Sequence, residues 1–250
     1  MGERTSHAPG TFSWVDLATS DPDAAKGFYS SLFGWTADDR PIPGDGVYSM
    51  MLKDGREACA IVAAQPGQPT AWNSYVTVES ADAAVATARE HGAEVRGEPF
   101  DVMEAGRMAA IHDPTGAVLA VWEPRESIGA HVVNETGALT INQLNTSDPA
   151  RAQDFYTGVF GWRFEQVAEG DQPYWGIYNG DRLNGGMIEQ PPDMWLAYFG
   201  SDSVDDDAGR IAELGGQVIL PPVDVPGGRI LVAQDPQNAV FGLFTGRFDD

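Results

Sequence analysis

Phe12-Ser13-Trp14-Val15-Asp16-Leu17-Ala18-Thr19-Ser20-Asp21-Pro22 returns 127 residues later as Leu139-Thr140-Ile141-Asn142-Gln143-Leu144-Asn145-Thr146-Ser147-Asp148-Pro149. The match runs on through Phe28-Tyr29, Phe33-Gly34-Trp35 and their counterparts Phe155-Tyr156, Phe160-Gly161-Trp162. Further along, Trp72 and Tyr75 meet Trp195 and Tyr198, Gly92 meets Gly215, and Asp113-Pro114 meets Asp235-Pro236. So many ordered matches identify an internal duplication, with residues 11–124 and 138–246 as copies of one β-rich module. Residues 1–10 form a leader, and 125–137, polar and irregular, read as the linker.

Each copy has the same grammar. An alternating strand (12–18, 139–145) enters Ser-Asp-Pro, where Asp caps a helix and Pro occupies its first turn. Ala25, Phe28, Tyr29 and Leu32 recur at helical spacing and define the buried face, with Phe155, Tyr156 and Val159 matching in the second copy. Gly34 and Gly161 are placed to end these helices in a left-handed cap. Strands are expected near 35–39, 47–53 and 57–63. A second strand–helix passage follows, with a strand at 72–79 and a helix at 81–91 closed by Gly92. Further strands are expected near 93–97, 106–112 and 117–123, with a turn at Asp113-Pro114-Thr115-Gly116. Each module is therefore two βαβββ units, an α+β arrangement.

Composition narrows the function classes. The net charge of −22 repels phosphate backbones and anionic lipids, which argues against nucleic-acid and membrane partners. No apolar run reaches the roughly 20 residues a membrane-spanning helix needs, and residues 1–10 lack the apolar core of a signal peptide. A single cysteine, Cys59, fits a reducing cytoplasm and reads as a small core residue. His7, His91 and His131 read as surface or turn residues, and His112 borders the turn at Asp113.

The opening strand, the Ser-Asp-Pro helix, Phe-Tyr, Phe-Gly-Trp and the late Asp-Pro-x-Gly turn resemble the vicinal-oxygen-chelate superfamily. It includes glyoxalase I, extradiol dioxygenases and bleomycin-binding proteins, and the form here is most similar to tandem two-module actinobacterial members. The resemblance implies that each module curls its sheet into an open cup, with helices outside, and that a cup holds the ligand. Metal-dependent members place His, Gln or Glu on three strands of the cup, and those positions fall here on Trp14, Asn73 and Ala120. In the second module they fall on Ile141, Leu196 and Gly242. Indole, isobutyl and methyl groups cannot ligate a cation, so no metal and no other cofactor is expected.

What remains is aromatic. Trp14, Trp122 and Trp175 have no tryptophan counterpart in the other copy, whereas Trp35/Trp162 and Trp72/Trp195 are paired and read as core. Met50, Met51, Met103, Met187 and Met194 lie on strands or loops that could border a cup. The expected site lines Trp14, Ala120, Trp122, Ile141 and Trp175 around orienting groups Asp16, Asn73, Tyr75, His112, Gln143 and Tyr198. That describes a metal-free protein binding an aromatic or polyketide-like small molecule, in secondary metabolism or resistance. Such a protein could serve another biosynthetic enzyme, as a monomer or homodimer. Two other readings stand beside it: a metal-dependent lyase or dioxygenase of the glyoxalase type, and a metal-independent enzyme with Asp16 or His112 as acid/base.

Overall fold

The computed structural model describes residues 2–44, 46–168 and 173–248. Sixteen strands and four helices are described in it, in the order the duplication requires. In the first module β1 (Phe12–Thr19), α1 (Pro22–Phe33), β2 (Thr36–Ile42), β3 (Gly46–Lys53) and β4 (Arg56–Ala63) form one unit. The next comprises β5 (Ala71–Thr77), α2 (Ala81–Glu90), β6 (Phe100–Val102), β7 (Gly106–His112) and β8 (Val118–Pro124). The second module repeats them as β9 (Leu139–Thr146), α3 (Pro149–Phe160), β10 (Arg163–Ala168), β11 (Tyr174–Asn179) and β12 (Arg182–Glu189). Its other half is β13 (Met194–Gly200), α4 (Val204–Glu213), β14 (Gln217–Val225), β15 (Gly228–Gln234) and β16 (Val240–Gly246).

Each module makes one eight-stranded mixed sheet, ordered β2-β3-β4-β1-β5-β8-β7-β6 and β10-β11-β12-β9-β13-β16-β15-β14. The opening strand of each unit runs parallel to its last strand, and the two opening strands pair antiparallel at the centre. Side chains alternate across such a sheet, so one face of β1 sends Val15 and Leu17 to the helices and the other sends Trp14 and Asp16 into the cup.

The caps follow the sequence. The Asp21 carboxylate accepts the backbone N–H of Ala24, Asp148 accepts that of Arg151, and Pro22 and Pro149 open their helices. Gly34 and Gly161 sit at φ of 72° and 70°, a conformation other residues enter at a cost. One expected strand is missing. Residues 93–97 contribute only a single bridge between Glu94 and His112, and the edge strand forms later, as β6. Arg96, Gly97 and Glu98 are exposed there, so no buried face holds that stretch in register.

The sheets meet back to back, and the cups open away from each other. Phe28, Tyr29 and Phe33 of α1 share a core with Phe199 of β13, Phe241 of β16 and Ile211 of α4. Phe155 and Tyr156 of α3 share the other with Val85 of α2 and Leu119 of β8. The seam explains the paired aromatics. Trp72 Nε1 donates to Tyr29 Oη, whose hydroxyl donates across the module boundary to Asp235 at 3.1 Å. Trp195 donates to Tyr156, which donates to Asp113 at 2.7 Å. Trp35 and Trp162 donate to the carbonyls of Gly137 and Gly10, each just before the other module's first strand. These tryptophans are core, as expected. Residues 125–137 are more than a solvent-side connection. Ala130 and Val132 are fully buried, and the chain bonds Ser13 of β1 and Glu57 of β4 through the N–H groups of Ala130 and His131.

Candidate active site: the first cup

The cup face of the first sheet gathers Trp14, Met50, Ala60, Tyr75, Ala120 and Trp122. At its centre lies Asp16, 6% exposed. One carboxylate oxygen accepts Asn73 Nδ2 at 2.8 Å; the other accepts Tyr75 Oη at 2.7 Å and, at 3.4 Å, Tyr48 Oη. Tyr48 Oη in turn accepts Trp14 Nε1 at 3.0 Å. Strand pairing makes this convergence: Asp16 lies opposite Asn73 on β5 and Ala60 on β4, and Ala60 lies opposite Met50 on β3. Burial pushes the Asp16 carboxyl above its usual range, and the bonds from Asn73, Tyr75 and Tyr48 pull it partway back. Burial, with the neighbouring Asp16 charge, likewise drives the Tyr48 and Tyr75 hydroxyls well above their ordinary value.

The floor of this cup is filled by its own side chains. Trp14, Met50, Tyr75, Ala120 and Trp122 are 5–8% exposed, so the cup is shallower than the wide aromatic cavity expected from sequence. Access lies to one side, where Ala110 and Val118 are exposed, Val118 to 41%, and Asn73 and Tyr48 are half-buried. Two clefts of about 440 and 570 Å³ lie outside the cups. One runs between the end of α1 and the start of α4, the other beside α3.

The second cup has the same frame with different chemistry. Gln143 stands where Asp16 does, and its amide donates to Asn145 Oδ1 at 2.8 Å. Ile141, Leu196, Tyr198 and Phe244 line the face, with half-buried Val232 and Val240 at the positions of Ala110 and Val118. Tyr174, the counterpart of Tyr48, is pushed up to about 12 by burial.

Several expected site residues are placed elsewhere. Trp175 faces the helices, not the cup, packing with the core around Met187 and α3. Neighbouring strand residues point to opposite faces, so Tyr174 takes the cup position beside Gly176 and Gly186, where a β-carbon on Gly186 would collide with its hydroxyl. Met51 and Met187 are fully buried on the helix side for the same reason, and Met103 stands 57% exposed beyond β6. His112 lies at the rim of β7, bridged to Glu94, with β5 and β8 between it and the strand of Asp16. Three strand spacings, about 14 Å along the sheet, separate the two strands, and His112 lies opposite Val118 of β8. His7 is half-buried, its Nε2 at 2.8 Å from the Ala130 carbonyl, and not a free surface histidine. Cys59 is buried on the helix side, where burial raises its thiol pKa. Tyr48 was missed from sequence. Its alternation with Met50 was the available signal, but only the pairing of β3 carries its hydroxyl to Asp16.

A divalent ion in this fold would need several oxygen or nitrogen donors converging on the cup floor. The central positions hold Trp14, Asn73 and Ala120 in one cup and Ile141, Leu196 and Gly242 in the other. Asp16 contributes one carboxylate, already engaged by three side-chain donors. Among the described residues no three His, Cys, Asp or Glu side chains converge as a ligand set. These residues do not fit a divalent metal.

Comparison with known proteins agrees with the fold. The family model described as Glyoxalase/Bleomycin resistance protein/Dioxygenase superfamily matches twice, over residues 11–121 and 130–243. CFP32 of Mycobacterium tuberculosis (strain CDC 1551 / Oshkosh), which carries a glyoxylase name, is 43% identical over 97% of both chains. The anthracycline biosynthesis protein DauV of Streptomyces sp. (strain C5) is 33% identical over 96% of this chain and 94% of its own. Among solved structures, the 2,3-dioxygenase LapB from Pseudomonas sp. KL28 superposes with a TM-score of 0.68 at 16% identity, over 97% of this chain and 94% of that one. The Mn(II)-bound glyoxalase from Novosphingobium aromaticivorans gives 0.68 and 16% over 100% and 86%. With two matched modules and the cupped sheets of that fold, the chain belongs to the glyoxalase/bleomycin resistance protein/dioxygenase superfamily.

Proposed function

We propose that the first cup is a metal-free binding site for a flat aromatic, polyketide-like small molecule, and that the protein sequesters, carries or presents that molecule in secondary metabolism or resistance. The observation that carries this reading is the difference between the cups. The first cup holds Trp14 and Trp122 with Tyr48 and Tyr75 around a hydrogen-bonding carboxylate, beside exposed Ala110 and Val118. The second holds Ile141 and Phe244 with Tyr174 and Tyr198 around a carboxamide, and Val232 stands where Ala110 does. An apolar surface with a few convergent polar groups suits an aromatic ligand carrying polar substituents. The anthracycline biosynthesis name of DauV is in keeping with such a ligand. The metal-free part rests on the donor chemistry at the central positions. A reduced cytoplasmic location fits the single buried thiol, and no described helix is long and apolar enough to cross a membrane.

Titration with hydroxyanthraquinones, followed by tryptophan fluorescence, tests the binding. Saturable quenching that weakens at least tenfold in Trp14→Ala is expected; no saturable quenching with any aromatic ligand overturns the reading. Elemental analysis of the purified protein tests the other half: stoichiometric Mn, Fe, Ni or Zn would reinstate a lyase or dioxygenase of the glyoxalase type. A second reading, an enzyme with Asp16 as acid/base, is favoured by the burial that raises its carboxyl. Turnover lost in Asp16→Asn with ligand binding retained would establish it.

A further inference from the structure

The linker packs against the tryptophans of the first cup. Trp122 Nε1 donates to the Ser127 carbonyl at 2.9 Å, the Ala130 N–H donates to the Ser13 carbonyl of β1 at 2.8 Å, and Ala130 and Val133 join the cluster of Trp14 and Trp122. Residues 2–7 lie across this stretch as a strap. The Val133 N–H donates to the Gly2 carbonyl and the Arg4 N–H to the His131 carbonyl, each at 2.9 Å, with Glu3 bridged to Val132. Further along, the chain is fixed to the second module, where Trp162 Nε1 donates to the Gly10 carbonyl. Between these ends Glu3, Thr5, Ser6, Ala8 and Pro9 are exposed. His7 turns inward, and among the described residues it is the only side chain of residues 3–9 that hydrogen-bonds another segment, through Nε2 to the Ala130 carbonyl. A carbonyl only accepts, so Nε2 carries the proton in this contact. The charged or titratable groups facing His7 are Arg4 on its own segment and His131 on the linker. Glu57 of β4 stands beyond, 3.5 Å from His131 Nδ1, where it also pairs with Arg40. Burial lowers the His7 pKa most; the bond to Ala130 offsets part of this, and the charges of Arg4 and His131 lower it further.

We propose that residues 2–8 are an acid-released strap: docked, they hold the linker against the first cup, and protonation of His7 frees them. Docked, an imidazolium would sit half-buried beside Arg4 and His131; released, it is hydrated. Docking therefore favours the neutral ring. The docked strap keeps its full stability above the ordinary histidine value of 6.5 and loses it as pH falls below that value. Release uncovers Ala130 and Val132, both fully buried, and removes the bonds that back the linker from outside. The second module contains no histidine and has no such device; Phe248 packs on Phe244 beside its cup. The strap goes beyond the ligand reading and holds whether or not the first cup binds a small molecule.

Hydrogen exchange of the full-length protein, read by mass spectrometry and normalised to the intrinsic rate at each pH, tests this. Protection in peptides covering residues 2–11 and 127–137 is expected to fall by roughly threefold or more between pH 7.5 and 5.5, while peptides from β13 keep theirs. In His7→Gln, whose side-chain amide donates to Ala130 but does not titrate, the fall should vanish. In His131→Gln it should remain, reduced in size. Titration of His7 by NMR in the wild type should give a midpoint below 6.5 that coincides with the loss of protection. Should His7→Gln leave the strap open at every pH, that coincidence decides. Protection independent of pH in the wild type, the full acid loss retained in His7→Gln, or a loss whose midpoint differs from that of His7 overturns the proposal.

Discussion

At the scale of the residue, Asp16 is the buried carboxyl at the centre of the first cup. Its carboxyl is raised by burial, which means that the fold prefers the neutral form. The contribution to stability is therefore present below the ordinary carboxylate range, near pH 4, and is lost as pH rises through the elevated pKa of the folded state. Asparagine at this position does not titrate. Compared by thermal melting across pH 4 to 8, Asp16→Asn should lose ground to the wild type at the acid end and recover it toward neutrality. A constant difference across that range would show that the carboxyl is not displaced. Tyr75→Phe, which removes a 2.7 Å bond to the carboxylate, should cost about 2 kcal/mol in urea unfolding at pH 7. The cost should shrink as Asp16 becomes protonated.

At the scale of the element, α1 and α3 carry the module seam. Each presents a buried tyrosine that accepts from a tryptophan of its own module and donates to the Asp-Pro turn of the other. The aspartates of these turns also cap their own loops, Asp113 taking the N–H groups of Thr115, Gly116 and Ala117 and Asp235 those of Gln237 and Ala239. One conserved-looking pair of motifs in the repeat is thus a reciprocal clasp. Tyr29→Phe and Tyr156→Phe should each destabilise by about 2 kcal/mol, since each leaves a buried carboxylate oxygen and an indole N–H short of a partner. The two clasps share no residue, so the double variant should show the sum within about 0.5 kcal/mol in denaturant titration. Marked non-additivity would mean that the modules move as the clasps are cut.

At the scale of the molecule, neither module is self-contained. Phe12, at the start of the first module's opening strand, packs on Trp162 and Trp195 of the second, with ring centroids 5.3 and 4.9 Å apart. Leu139 makes the reciprocal insertion into the core around α1. Phe12→Ala should therefore cost about 3–5 kcal/mol, and a calorimetric scan of the whole chain should show one transition. A fragment of residues 1–137 should expose the Phe28–Phe33 face and fail to give a cooperative melt. Two separate transitions in the intact chain would contradict this account.

The duplication, the helix caps and the buried helix faces were legible in residue types and spacing, because each depends on chemistry local to a few neighbouring positions. Asp16, Asn73 and Tyr75 were legible as cup residues for the same reason, through strand alternation. Tertiary structure alone decided the rest. Which of Tyr174 and Trp175 enters the cup depends on pairing register, since a shift of one residue exchanges the faces of a strand. The filled floor depends on how large side chains from five strands pack together. Tyr48, 32 positions from Asp16 in the chain, reaches it only because β3, β4 and β1 lie side by side in the sheet. Sequence thus determined the frame twice over, and the curvature and register of the first sheet decided that the Asp16 carboxyl of one cup would lie buried among Asn73, Tyr75 and Tyr48.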